Sequence, residues 1–361
     1  MKRKLKLTSS IIALTLILSS CGNSNTAQES NMQNTETTTT AQTTEVAETT
    51  EENVYYPVVV DSHEYVNGVY TEISQTFEKI PERVYCNNQT SFETLLALGV
   101  ADRVVATPRL GNPIANGLED ELSEVEANID FIDDPWPPRE IVLGSDPDFI
   151  TGRGALFHNE TYGHGSVENY NESGIPTYVL EGMLPTATIE SVTDDVRNYG
   201  KIFNKEDEAE VVAEEFEERL NAINEKLSGI TEDYGVILLT NYHDNTFSTF
   251  LGKDGITADI LDTVHCHTVF EGPGFEVSAE QLIDMNPDYI FYMDYVGSVL
   301  TAEEAIAELY ANTTIETVSA IANQGIYKVS YNGMNAGGLS TIDQLEELAT
   351  LLYPDEMGAS Q

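Results

Sequence analysis

The sequence predicts an α/β protein made of two similarly built lobes, and three observations predict it. Beyond Tyr55, short β-branched and aromatic runs alternate with helix-like runs, the order of an α/β chain. A segment opened by glutamate and closed by Pro-Asp occurs twice, and a repeat of that kind implies two units of one design. Between the copies lies one long stretch of helical period.

The elements follow in order. Residues 56–60 and 70–73 read as a hairpin leading into a first core strand at 83–86. Polar residues Asn87, Asn88, Gln89 and Thr90 then precede a helix-like run ending at Gly99, and residues 103–107 form a second strand. In the repeat, Glu140 and Glu280 each open a short helix. Pro147-Asp148 and Pro287-Asp288 end it, because proline lacks an N–H and turns its predecessor away from helix, and an apolar strand begins.

Residues 205–228, with Asn204 as the expected N-cap, carry Ala209, Val212, Phe216, Leu220, Ile223 and Leu227 at three-four spacing. Such a helix spans roughly 35 Å and would serve as a strut between lobes or as a surface helix of one lobe. The second lobe then reads as a strand at 234–241, a polar loop, a helix near 256–264 and a strand at 289–293. A helix at 302–310, a strand at 325–330, a glycine-containing loop and a last helix at 341–353 complete it. The expected boundaries are 55–204, 205–228 and 229–356, about 300 residues that suit two domains better than one core.

The first 20 residues carry Lys2, Arg3, Lys4 and Lys6 ahead of a short apolar core, an export signal. That core is too short to span a bilayer and ends in Leu18, Ser19, Ser20 and Cys21, which resembles the bacterial lipobox. Cys21 is the expected lipidated first residue, and residues 21–54, almost without large apolar side chains, the expected disordered tether. A flexible chain of that length reaches about 30 Å. Cleavage removes four of 17 basic residues and none of 61 acidic ones, so a nucleic-acid partner, which needs clustered Lys and Arg, is excluded. Cys86 and Cys266 are expected as single buried thiols.

Several of these stretches together resemble a known family. The run Phe77-Glu78-Lys79-Ile80-Pro81-Glu82-Arg83-Val84, followed by Phe92-Glu93-Thr94-Leu95-Leu96-Ala97-Leu98-Gly99, is similar to the opening strand and helix of the helical-backbone substrate-binding proteins that serve ABC importers for iron-siderophore, haem and cobalamin. The paired Glu…Pro-Asp segments, the Gly174-Ile175-Pro176 turn and the final Leu-rich helix ending at Tyr353-Pro354 match as well. The resemblance implies two Rossmann-like lobes, each with a central, mostly parallel sheet, joined by a single long rigid helix, with ligand held between them. It implies an extracytoplasmic monomer, lipid-anchored to the outer face of the membrane, with an ABC permease and its ATPase as partners. The ligand implied is a small chelate containing iron or cobalt. Glu140 and Glu280 would pair with arginines of the permease; as local features they would merely favour helix N-termini.

Ligands of open parallel sheets sit beyond the carboxyl ends of the strands, which nominates the residues that follow each strand. In the first lobe these are Asn88, Gln89, Arg109, Arg153 and Phe157, with Trp136 as a wall. In the second they are Tyr242, His243, Phe247, Asp294, Tyr295, Tyr331 and Met334. Aromatics and amides suit a bulky, partly apolar chelate, and Arg153, flanked by glycines, suits a carboxylate or hydroxamate oxygen. Three imidazoles, His158, His164 and His243, offer an alternative site for a bare divalent metal. His265-Cys266-His267 falls at an expected helix end, away from the strand ends. No Gly-x-Ser-x-Gly, His-Glu-x-x-His or phosphate-loop motif occurs, so no enzyme is expected. A surface adhesin or sensor on the same fold is a further alternative.

Overall fold

Two central sheets, a parallel one wholly before residue 180 and a mixed one wholly after residue 233, organise the computed structural model, which describes residues 55–159, 163–243, 245–272, 275–294, 298 and 300–359. The expected signal peptide, tether and Cys21, together with Tyr295 and the side chain of His243, lie outside the described residues. An antiparallel hairpin comes first, β1 (Val58–Val66) and β2 (Val69–Phe77). Its two-residue turn is Asn67-Gly68, both at positive φ, the backbone that matches the twist of paired strands.

Strands β3 (Val84–Cys86), β4 (Val104–Pro108), β5 (Asp130–Ile132), β6 (Phe149–Gly152) and β7 (Thr177–Val179) form an all-parallel sheet in the order β5-β4-β3-β6-β7. Around it lie α1 (Gln89–Ala97), α2 (Glu119–Val125), α3 (Arg139–Gly144) and α4 (Val167–Glu172). This doubly wound order reverses between β3 and β6, where such sheets open a crevice.

The next two helices are α5 (Ser191–Phe203) and α6 (Glu206–Leu227). Asn204, expected to cap α6, instead ends α5 in the left-handed conformation, and Lys205 precedes α6 without a side-chain cap. Asparagine is favoured both as an N-cap and in the left-handed region; the apolar stripe of α5, with Val192, Val196, Tyr199 and Phe203 buried, extends helix up to that residue. Helix α6 has 22 residues, about 33 Å. Its first half buries Ala209 and Ala213 in the first lobe's core, and its second half buries Phe216, Leu220, Ile223 and Leu227 in the second's. At about 1.5–3 kcal/mol for each large apolar side chain, burial of Phe216, Leu220, Ile223 and Leu227 ties the helix firmly to the second core, while the two alanines let it pack closely on the first.

The second sheet contains β8 (Tyr234–His243), β9 (Thr246–Phe250), β10 (Cys266–Thr268), β11 (Glu276–Ser278), β12 (Tyr289–Asp294) and β13 (Ile326–Ser330), ordered β11-β9-β8-β12-β13 with β10 also on β8. It is mixed: β9 runs antiparallel to β8 and β11, while β10, β12 and β13 are parallel. Helices α7 (Gly255–Thr263), α8 (Ala279–Met285), α9 (Ala302–Ala311), α10 (Ser319–Ala322), α11 (Tyr331–Asn335), α12 (Ser340–Leu352) and α13 (Pro354–Met357) surround it. The expected polar loop after β8 thus contains a strand. Cys266 and His267 belong to β10 rather than to a helix end.

The repeated segment is repeated in space. In each lobe the aspartate after proline seals the start of the first central strand: the Arg83 N–H donates to Asp148 Oδ1 (2.8 Å) and the Gly235 N–H to Asp288 Oδ2 (2.9 Å). Asp146 and Asn286 end their helices at positive φ, and Val142 and Leu282 are the buried residues of α3 and α8.

Candidate functional site

The carboxyl ends of both sets of parallel strands meet at the cleft between the lobes, where two cavities draw walls from both. The larger, about 730 Å³, lies between the loop after β4 (Leu110, Asn112, Ile114) and the ends of β12 and β13 with α12. Asp294, Ser330, Asp343, Gln344 and Glu347 make that second wall rich in acceptors, with Lys328 as its cation. The lysine is committed: its Nζ donates to Glu303 Oε1 (2.8 Å), which raises its pKa. Asp343 Oδ1 accepts from Arg219 of α6 (2.7 Å), while its Oδ2 accepts from the Asn116 N–H across the cleft (3.0 Å).

The smaller cavity, about 220 Å³, is lined by Tyr70 of the hairpin, Arg153, Met183, Asp254 and Asn335 among others. Arg153 sits at the crevice between β3 and β6, its backbone held by Asn87, whose Oδ1 accepts from the Arg153 N–H (2.6 Å) and whose Nδ2 donates to the Arg153 carbonyl (3.1 Å). Gly152 makes this possible: its φ is +135° and a Cβ would collide with the Asn87 side chain. Arg83, Arg109, Arg197 and Arg219 each hold a carboxylate; among the described residues Arg153 is in no ion pair. Its guanidinium is therefore available to an anionic ligand group.

The floor of the cleft is backbone on backbone. Gly182 and Gly337 touch, and a methyl on either would overlap the other's carbonyl; Gly338 packs equally close on Thr90. Asn112 Nδ2 donates to Asn332 Oδ1 (3.1 Å), leaving the buried Asn332 Nδ2 without an acceptor.

Of the residues expected at the cleft, Arg153 and Asp294 line its cavities. Asn88 caps α1 and donates to Met183 Sδ (3.2 Å), and Gln89 reaches the loop at 111–113. Arg109 pairs with Asp133 (2.6 Å), and Trp136 stands half exposed outside both cavities. Tyr331, half-buried at the start of α11, also lies outside both linings.

Four expected contacts turn inward. Phe157, Phe247 and Met334 are completely buried and Tyr242 nearly so. The reason for Tyr242 and Phe247 is that β8 runs on to His243, so they are partners in the ladder, stacked at 5.2 Å on the core face. Met334 is the buried apolar side chain of α11, and Phe157 follows a 3-10 turn into the core cluster that contains Tyr85.

Of the histidine alternative, the side chain of His243 lies outside the described residues. His164 is fully buried, both ring nitrogens lack partners, and burial pushes its pKa down to about 4. No group of three metal-binding side chains comes together among the described residues.

What the sequence reading missed is the loop after β4 and the polar face of α12. The loop lies only a few residues past a nominated strand end, and Asp343, Gln344 and Glu347 alternate with the apolar stripe that identified the helix.

A family model described as periplasmic binding protein matches residues 84–330. The chain belongs to that family. The petrobactin-binding protein YclQ of Bacillus subtilis is 24% identical over 276 residues, covering 74% of this chain and 81% of its own. YvrC of the same organism, an uncharacterized ABC transporter substrate-binding lipoprotein, is 21% identical and covers 98% of this chain and 99% of its own. The fold is that of a periplasmic binding protein from Veillonella parvula, with a TM-score of 0.68 at 24% identity, covering 82% of this chain and 99% of the other. The chain is accordingly a substrate-binding protein of the ABC-import type and not an enzyme. No described helix is long and apolar enough to cross a membrane.

Proposed function

We propose that this periplasmic binding protein captures an iron-siderophore or related metal chelate between its lobes and delivers it to an ABC permease and ATPase. It would act as a monomer held to the outer face of the cytoplasmic membrane by lipid on Cys21. The observation that carries the reading is the cleft itself, with cavities at the carboxyl ends of both sets of strands and a free guanidinium at the crevice of the first sheet. The larger cavity has the volume of a drug-sized ligand and mixes apolar side chains with carboxylates, amides and hydroxyls. The name of YclQ supports a siderophore over cobalamin or haem, and that of YvrC supports the lipid anchor.

Native mass spectrometry of the purified protein tests this against ferric petrobactin, other ferric siderophores, haem, cobalamin and bare divalent cations. A one-to-one complex with a ferric siderophore is expected. Retention of a bare cation alone would establish the histidine alternative, and retention of nothing would end the chelate reading. Replacing Arg153 by alanine is expected to weaken the bound siderophore about 10–100-fold, the value of one charge-assisted hydrogen bond. Isothermal titration measures it; an unchanged affinity removes Arg153 from the site.

Docking would use Glu140 and Glu280, both exposed in the first turns of α3 and α8. Around Glu140 the surface is apolar, with Trp136, Ile141 and Leu143 all exposed, as a protein-binding face requires.

A further inference from the structure

The loop lining the first-lobe wall of the larger cavity is held in place by two side chains of α1. Gln89 uses both ends of its amide: Nε2 donates to the carbonyls of Asn112 and Pro113 (3.1 Å each), and Oε1 accepts from the N–H groups of Gly111 and Asn112 (3.2 Å each). One turn on, Glu93 Oε1 accepts from Gln89 Nε2 (2.7 Å) and from the Ala115 N–H (3.3 Å). Glu93 is fully buried, yet its Oε2 has no partner. A buried carboxylate oxygen that carries charge and accepts nothing is costly, whereas a protonated one is tolerated.

The charged surroundings argue the same way. Behind the loop a third cavity is lined by Glu121 of α2, Glu215 and Arg219 of α6 and Asp343 of α12. Arg219 is occupied by Asp343 and Glu346 (2.7 Å each), so the cation is already shared among carboxylates. The loop is also the bridge between lobes, since Asn112 and Asn116 reach Asn332 and Asp343.

We propose that Gln89 and Glu93 are positioning residues, and that Glu93 with a proton on Oε2 fixes the loop at 111–115 and with it the first-lobe wall of the ligand cavity. The inference rests on the larger cavity being the ligand site. Burial, with the field of Asp343, raises the Glu93 pKa to about 7, while the bonds from Gln89 and Ala115 oppose it. Protonated Glu93 therefore holds the loop below about pH 7, and deprotonation above it places a second negative charge against Asp343 and loosens the loop.

Amide exchange reads this without ligand, because the N–H groups of Gly111, Asn112 and Ala115 are the donors. In the wild type their protection factors, corrected for intrinsic exchange, should fall about tenfold between pH 6 and pH 8. Glu93→Gln, which keeps the acceptor and cannot ionise, should remain protected at both. Gln89→Ala should lose protection at Gly111 and Asn112 while Ala106 in β4 is unchanged. Protection independent of pH in the wild type, loss of protection in Glu93→Gln at pH 6, or retention in Gln89→Ala overturns the proposal. Failure of the siderophore panel with these exchange results intact would instead remove the cavity's ligand role and leave the clamp standing.

Discussion

Asp195→Ala should destabilise the protein by about 3–6 kcal/mol, since it leaves two buried donors and one half-buried donor without an acceptor at about 1–3 kcal/mol each, partly relieved by relaxation. Asp195 of α5 is 2% exposed. Its Oδ1 accepts from the Tyr178 hydroxyl (2.7 Å) and the Glu181 N–H (2.8 Å), and its Oδ2 from the Gly182 N–H (2.9 Å). These bonds set the turn whose Gly182 meets Gly337 of the other lobe and whose Met183 lines the smaller cavity. Loss of the carboxyl therefore frees the floor of the cleft as well as the core.

The pH dependence has a definite sign. Burial raises the Asp195 pKa to about 7, and the three hydrogen bonds only partly offset this. The folded state then holds a proton that the unfolded chain gives up near its ordinary pKa of about 4. Stability from this group is full below about pH 4 and is lost as pH rises to about 7, beyond which it is constant. Glu93 adds a contribution of the same sign. Calorimetric melts from pH 5 to 8 should show the wild-type Tm falling across this window, and Asp195→Ala melting lower throughout with a shallower slope. A variant within 1 kcal/mol of wild type at pH 5, where most of this contribution remains, would show that the turn does not depend on Asp195.

The architecture was legible because it is written in local periodicities. The three-four spacing of α6, the alternation of the strands and the Pro-Asp stops each depend on a few neighbouring residues. Local chemistry failed where two outcomes share it. Asn204 suits an N-cap and a left-handed C-terminus equally, and α5 decides between them. Residues 246–250 read as a polar loop, yet Phe247 and Phe250 with polar neighbours pair with β8 to form β9.

The candidate site was legible only as far as strand ends predict which side chains line the two cavities. That rule located Arg153 and Asp294. It misplaced Tyr242 and Phe247 because β8 is two residues longer than its sequence pattern suggests, so their side chains still follow the ladder. The loop after β4 was missed because its position depends on Gln89 and Glu93, which lie about 20 residues before it. Such a clamp has no periodic signal.

Reversing both Glu140 and Glu280 to arginine should abolish import while ligand affinity stays within about twofold. Each carboxylate is the second residue of a short helix that buries one apolar side chain, ends in a left-handed residue and is followed by an aspartate bonded to the first central strand. The scaffold thus presents the two charges in the same way from both lobes, as a two-fold permease with paired cations would need. If each glutamate served only its helix dipole, reversal would cost about 0.3–1 kcal/mol per site and import would continue. Three measurements on the double variant separate the cases: uptake in cells lacking the native chain, siderophore affinity and Tm. Lost uptake with intact affinity and a small change in Tm supports docking. Normal uptake leaves the glutamates to their helices, and because neither side chain lines either cavity, the capture reading would stand without them.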